Sequence, residues 1–173
     1  METMVRETLV QKLLAEFHEE TTTTRRALER IPADKLAWKP HPKSMSIGQL
    51  GRHLAMIPGA FARIVQQDTF DASQGQFTPP QPNNLAEIFA AYDESLRAVE
   101  ENLPGMTDEQ ANATWTLMFK DKVLFSRPRI WVLRSVMLNH WYHHRGQLSV
   151  YLRLLDVPVP VTYGPTADEN PFF

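Results

Sequence analysis

The sequence contains no cysteine among its 173 residues. This absence excludes disulfide bonds, thiolate metal sites and cysteine nucleophiles, so any bound metal must be held by nitrogen and oxygen ligands. It also favours a cytoplasmic location, because small secreted domains commonly depend on disulfides.

Long apolar runs are also missing. No stretch approaches the ~18 uncharged apolar residues that a membrane-spanning helix needs, and Glu2 and Glu7 stand where a signal peptide would have a basic start. We therefore expect a soluble protein with no membrane partner. A chain of this length suits one core, and we expect a single domain over residues 1–173.

An excess of basic charge is absent as well, since the formal net charge is −2. Nucleic-acid-binding surfaces are normally basic, so no nucleic-acid partner is expected. The sequence also lacks a glycine-rich phosphate loop and the Gly-x-Ser-x-Gly motif of serine hydrolases. Neither phosphate-loop nor serine-triad chemistry is indicated.

Four segments have the apolar spacing of amphipathic helices. The first runs from about Val5 to Ile31. The second runs from Ile47 to about Ile64 and follows the capping-box sequence Ser46–Gln49. The third spans about Leu85 to Leu103, and the fourth begins at Pro128 and continues to about Leu155.

The connections between these helices contain fewer signals. Residues 68–84 have the composition of a surface loop, and Pro58 predicts a kink in the second helix about one turn after His53. Alternating apolar residues around Trp115 and Phe125 indicate a short hairpin or an extended flap. We predict an all-α fold, a four-helix bundle with a short hairpin or irregular segment before the last helix.

Three histidines interrupt apolar helix faces. His140 and His144 are four residues apart, so they project from one face of the last helix, one turn apart. His53 lies on the inward face of the second helix and can supply a third imidazole. A lone histidine on such a face is usually a core residue with a hydrogen-bond partner, whereas two at ligand spacing facing a third favour a metal site with these three ligands.

The neighbours of this pair allow more than one interpretation. His143 is predicted to lie on the surface, to support the ligands from behind or to form a subunit contact. Arg145 and Gln147 either lie beside the site, where they orient the imidazoles from behind or meet a substrate carboxylate, or pair along the helix surface. Gly146 is expected to permit close helix packing. Trp141 stands where the metalloprotease helix motif has its glutamate base, so proteolysis is not expected.

The combination of three segments resembles the DinB-like (DinB/YfiT) family. They are Ser44–Leu54, Asn139–Leu148 and Thr162–Glu169, and with the helices they cover nearly the whole chain. The resemblance implies a four-helix bundle in up-down-down-up order, commonly a homodimer. It also implies a divalent nickel, zinc or iron ion held by a histidine of the second helix and an H-x-x-x-H pair of the fourth. These positions correspond to His53, His140 and His144.

Two functions remain open at this point. Some members of the family are thiol-dependent S-transferases or isomerases that use low-molecular-weight thiols, while many have no known reaction. The first hypothesis is a metal-dependent thiol S-transferase or hydrolase acting on a small molecule, with Trp141 or Tyr142 in the substrate pocket. The second is a non-catalytic metal-binding stress-response protein. A fourth protein ligand would favour the second hypothesis.

Overall fold

A computed structural model describes residues 6–75 and 78–172. The fold is predominantly helical, as predicted. Helix α1 spans Leu9–Glu29 and begins after a capping box in which the Thr8 hydroxyl accepts from the Gln11 backbone N–H. Val5, the predicted start of this helix, lies outside the described residues.

Helix α2 spans Ile47–Ile64 and begins at the predicted capping box. The Ser46 hydroxyl accepts from the backbone N–H of Gln49, whose side chain accepts from the Ser46 N–H in return. Pro58 lies inside this helix, which continues for six further residues to Ile64. Helix α3, Leu85–Asn102, is capped by the side chain of Asn84, which accepts from the Glu87 N–H, and is followed by the short helix α4, Asp108–Asn112.

The prediction of an all-α fold is wrong in one respect, because the structure also contains a three-stranded sheet. Strands β2, Thr114–Phe119, and β3, Lys122–Pro128, form the predicted hairpin. Strand β1, Thr69–Asp71, pairs in parallel with β2 and lies within the segment that was predicted to be only a loop. The order across the sheet is β1-β2-β3.

The last helical stretch has three parts that follow one another directly. They are helix α5, Arg129–Trp131, a π-helix, Val132–Leu138, and helix α6, Asn139–Leu154. Pro128 has an extended ψ of 144° and occupies the cap position, so the helix begins one residue later than predicted. The π-helix was not predicted. Such segments often occur at functional sites.

The core lies where α1, α2, α3 and α6 meet, and its largest fully buried aromatic side chains are Trp115, Trp141, Tyr92 and Phe17. Helices α2 and α3 approach closely at Gly59, where an added Cβ would lie 2.7 Å from the Cα of Ser95. No helix among the described residues combines the length and hydropathy needed to cross a bilayer.

Candidate metal centre

The structure brings His53, His140 and His144 together. His53 lies on α2, and the other two lie one turn apart on α6. Nε2 of His140 is 3.4 Å from Nε2 of His53 and 2.7 Å from Nε2 of His144. One ring nitrogen from each residue lies within 4.8 Å of the other two. Metal ligation by this cluster remains a prediction.

Burial keeps these imidazoles uncharged at neutral pH. Burial, together with the smaller effect of the neighbouring histidines, lowers the pKa of His53 and of His140 from 6.5 to about 4. Burial also lowers the pKa of His144. Uncharged imidazoles have a free lone pair, which is the form that binds a metal ion.

The side chain of Gln147 fixes the orientation of His144. Its Oε1 lies 2.7 Å from Nδ1 of His144. An amide oxygen only accepts hydrogen bonds, so Nδ1 must carry the ring proton and the lone pair must lie on Nε2. That lone pair points at His140. Gln147 is therefore placed behind a ligand, as one of the two sequence interpretations proposed.

The donor set fits a first-row divalent ion. With metal–nitrogen bonds of about 2.0–2.1 Å, two ligands of a tetrahedral ion lie about 3.3–3.4 Å apart. The separation between His53 and His140 matches this value. The 2.7 Å between His140 and His144 is a hydrogen-bond distance, so these rings would separate slightly and lose the shared proton on binding a metal.

Arg145 points away from the histidines, although it follows His144 directly. It is 2% exposed, lies 2.6 Å from the Glu20 carboxylate on α1 and donates to the Thr24 hydroxyl and the Tyr163 hydroxyl. It pairs with another helix in the interior and not along the surface of its own helix. It joins α6 to α1 and to the C-terminal segment.

His143 is exposed, and its ring centroid lies 5.0 Å from that of His144. It is absent from the group of converging nitrogens. Gly146 does not serve close helix packing, because an added Cβ there would meet no atom within 4 Å. The interpretation of Gly146 from the sequence was wrong.

Trp141 has a structural role that sequence reasoning missed. Its indole N–H donates to the Leu54 carbonyl at 3.0 Å, and the side chain is fully buried. Leu54 lies four residues before Pro58, which has no N–H to donate to it. The proline and the unpaired carbonyl were visible in the sequence, but nothing there identified the donor.

A cavity of about 420 Å³ opens beside His53 and His140. Neither Trp141 nor Tyr142 lines it, contrary to the sequence hypothesis. Trp141 is in the core, and the Tyr142 hydroxyl donates to Glu16 on α1. The lining residues are His53, Met56, Ile57, Ala60, Phe61, Ile64, Phe70, Ala72, Gly75, Pro79, Pro80, Trp115, Leu117, Phe125, Val132, Val136 and His140.

The fold and the cluster together define a predominantly helical protein with a three-histidine cluster, two members of which line an apolar cavity. Comparison with known proteins gives the family: the model of the DinB family matches residues 4–170, and the chain belongs to that family. The uncharacterized protein YjoA of Bacillus subtilis (strain 168) is 26% identical over 144 residues, which is 82% of this chain and 88% of YjoA.

Two crystal structures share the fold. A DinB-like protein from Bacillus cereus ATCC 10987 superposes with a TM-score of 0.68 at 21% identity, over 87% of this chain and 95% of the other. The DinB-like protein YjoA from Bacillus subtilis superposes with a TM-score of 0.61 at 22% identity, over 91% and 98%. At this level of identity the likeness concerns the fold.

Proposed function

We propose that the protein binds a divalent nickel, zinc or iron ion through His53, His140 and His144. The observation that carries this proposal is the convergence of three uncharged imidazoles within 4.8 Å of one another. The Gln147 hydrogen bond supports it further, because it leaves the lone pair of His144 on the nitrogen that faces His140. Three nitrogen ligands accept several first-row ions, so supply in the cell decides which is bound.

We further propose that the ion is catalytic and that the reaction is a thiol S-transfer or a hydrolysis. Among residues 6–75 and 78–172, no carboxylate or fourth histidine joins the cluster. Three protein ligands and an open position are typical of catalytic sites. A bound divalent ion lowers the pKa of a coordinated thiol or water, so that a nucleophile forms near neutral pH.

The chain itself would contribute orientation and exclusion of water. Gln147 holds one imidazole in place, and Trp141 fixes α6 against α2 beside the histidines of both helices. Phe61 packs near His140, with ring centroids 6.5 Å apart, and covers one side of the cluster with apolar surface. A small electrophile in the cavity would then face the histidine end without competing water.

A non-catalytic metal-binding function is the second candidate. It is favoured by the position of the cluster, which joins α2 to α6 and would let an ion fasten the two helices together. The two candidates differ in the state of the ion. Exchangeable water on the bound ion supports catalysis, whereas a closed coordination sphere supports the structural role.

Metal binding is tested by titrating chelator-treated protein with zinc and nickel in a calorimeter. We expect one site per chain. His144→Ala should lose it, while the adjacent exposed His143→Ala should retain it. Equal loss in both variants would remove His144 from the ligand set. Circular dichroism shows whether each variant keeps its helical content.

The chemistry is tested by conjugating small thiols to halogenated electrophiles with metal-loaded and metal-free protein. The thiolate sulfur attacks the carbon, a C–S bond forms and halide leaves. Faster conjugation by the metal-loaded protein alone would support S-transfer. Equal rates across a panel of thiols and electrophiles would count against it.

The family resemblance also supports a four-helix bundle of α1, α2, α3 and α6 in up-down-down-up order and a homodimer, which we propose here. The exposed Val150 and Leu154 offer apolar surface on α6, as do Trp131 and Phe172 elsewhere. Sedimentation should give about twice the 19.9 kDa mass of one chain. A species of one chain mass at micromolar concentration would contradict the dimer.

A further inference from the structure

The cavity beside the histidines has an unusually uniform wall. Among the described residues that line it, none is an Asp, Glu, Lys or Arg, and His53 and His140 are the titratable side chains. The wall comes from five parts of the chain: α2, the segment that includes β1, the hairpin, the π-helix and, through His140, helix α6. It is a site assembled by the fold and not a groove along a single helix.

Several polar groups of this wall already have partners. The indole N–H of Trp115 donates to the Ile64 carbonyl at 3.1 Å, and the Pro79 carbonyl accepts from the Gln49 side chain. The backbones of Phe70 and Leu117 pair with each other across β1 and β2. Among the described side chains of the wall, the ring nitrogens of His53 and His140 are therefore the nitrogen or oxygen groups left to hydrogen-bond a bound molecule.

The cavity also reaches solvent. Met56 lines it and is 42% exposed, whereas Trp115 and Val132 are buried at 1% and 0%. An apolar molecule can enter past a flexible thioether side chain and reach a buried interior lined by apolar side chains. A charged group would lose its hydration there without gaining a partner, which is strongly unfavourable.

From these features we infer that the cavity binds an uncharged, largely apolar small molecule whose one polar group faces the histidines. The volume of about 420 Å³ falls in the range of pockets that hold drug-sized ligands, roughly 300–1,000 Å³. The orientation towards an ion rests on the proposed function. The preference for uncharged, apolar ligands rests on the wall alone.

A matched pair of fluorescent probes tests this inference. N-phenyl-naphthylamine is neutral, and anilinonaphthalene sulfonate has nearly the same aromatic skeleton with an added sulfonate. We expect the full-length, chelator-treated protein to bind the neutral probe at least ~10-fold more tightly, the equivalent of about 1.4 kcal/mol. Equal affinities, or tighter binding of the sulfonate, would overturn the inference.

Variants locate the bound probe. Val136 is half-buried in the cavity wall, and Val136→Trp should fill the cavity and weaken the neutral probe about ten-fold or more. Val123→Trp is the matched control, because Val123 is 54% exposed on β3, does not line the cavity and should change little. If Val136→Trp misfolds, Leu117→Trp fills the cavity from β2 instead. Equal weakening by the control, or none by either filled variant, would overturn the location.

The two proposals fail separately. Zinc titration of the same protein reports the histidine cluster, and the probe reports the wall. Probe binding with the expected preference in a protein that binds no zinc would leave the cavity site standing and remove the metal. Zinc binding without probe binding would do the reverse.

Discussion

Gln147 is exposed, yet its side-chain oxygen decides which nitrogen of His144 faces the other two imidazoles. Partners behind a ligand typically change metal affinity by about 10–100-fold when they are removed. The effect comes from orientation and proton placement, so it depends on the acceptor and not on the bulk of the side chain.

We therefore expect Gln147→Leu to weaken zinc binding by about ten-fold or more, because it removes the acceptor at similar size. Gln147→Glu keeps an acceptor oxygen and should retain the affinity. Calorimetric titration measures both variants, with Gln67→Leu as a control at an exposed glutamine outside the cluster. If the leucine and glutamate variants bind zinc alike, the hydrogen bond has no role in binding.

Part of the cluster followed directly from the sequence. His140 and His144 had to share a face, because helical spacing is fixed by the backbone. The approach of His53 depends on how α2 packs against α6, which the periodicity of neither helix determines. The same limit explains why Arg145 was left between two interpretations, since its partner Glu20 is 125 residues away in the chain.

At the scale of elements, α2 lacks a backbone hydrogen bond at Pro58, and side chains of two other helices bond to the backbone of α2 there. The Leu54 carbonyl receives the Trp141 indole N–H from α6, and the next backbone N–H, that of Gly59, donates to the Ser95 hydroxyl of α3 at 2.7 Å. Both contacts are side chain to backbone. They fix the position of α2, and hence of His53, relative to its neighbours.

Trp141→Phe should lower the free energy of unfolding by about 1–3 kcal/mol, because it leaves the buried Leu54 carbonyl without a donor while it keeps an aromatic ring. Urea unfolding followed by circular dichroism measures the change. Trp131→Phe is the control, since Trp131 is 41% exposed.

A second substitution separates the loss of the hydrogen bond to Leu54 from the loss of ring volume. Pro58→Ala supplies a backbone N–H for the same carbonyl, so Trp141→Phe should cost less in that background. Identical costs in the two backgrounds would mean that packing alone accounts for the effect.

Two glycines should respond to alanine in opposite ways. Gly59→Ala places a Cβ 2.7 Å from the Ser95 Cα in the backbone of α3 and should destabilise the protein by about 1–3 kcal/mol. Gly146→Ala meets no atom within 4 Å and should stabilise it by about 0.5–1 kcal/mol through helix propensity. Thermal and urea unfolding compare the two variants, and destabilisation by Gly146→Ala would show that this face is covered.

The helices and the hairpin were predictable because their signals are local: apolar period, capping box and alternation. Strand β1 was not, since three residues carry little pattern and the strand exists only through its pairing with β2, some 47 residues later in the chain. The π-helix also escaped prediction, because its residues follow an apolar pattern that an α-helix would equally satisfy.

At the scale of the whole molecule, the buried histidines couple stability to pH. Unfolded histidines titrate near 6.5, whereas native His53 and His140 have pKa values of about 4. Between these values the unfolded chain binds more protons, so acid favours unfolding. The stability that these uncharged histidines contribute to the metal-free protein should therefore be fully present above about pH 6.5. The free energy of unfolding should then fall as the pH decreases towards 4.

Urea unfolding at a series of pH values with chelator present measures this dependence. The double variant His53→Gln, His140→Gln should show a shallower decrease in the same window, because two of the groups with lowered pKa are gone. A parallel decrease in both proteins would assign the pH dependence to other groups.

The π-helix has a geometric consequence for the site. Val132, Val136, His140 and His144 are four residues apart in succession, and the first three line the cavity. In an α-helix such a row drifts around the axis, because a turn holds only 3.6 residues. A π-helix holds more residues per turn and shifts the row the other way.

The deletion of one residue between 132 and 138 would change the phase of the helix between the cavity wall and the histidines while leaving every histidine in the sequence. Evolution can therefore alter this site by changing the length of the segment as well as by changing its residues.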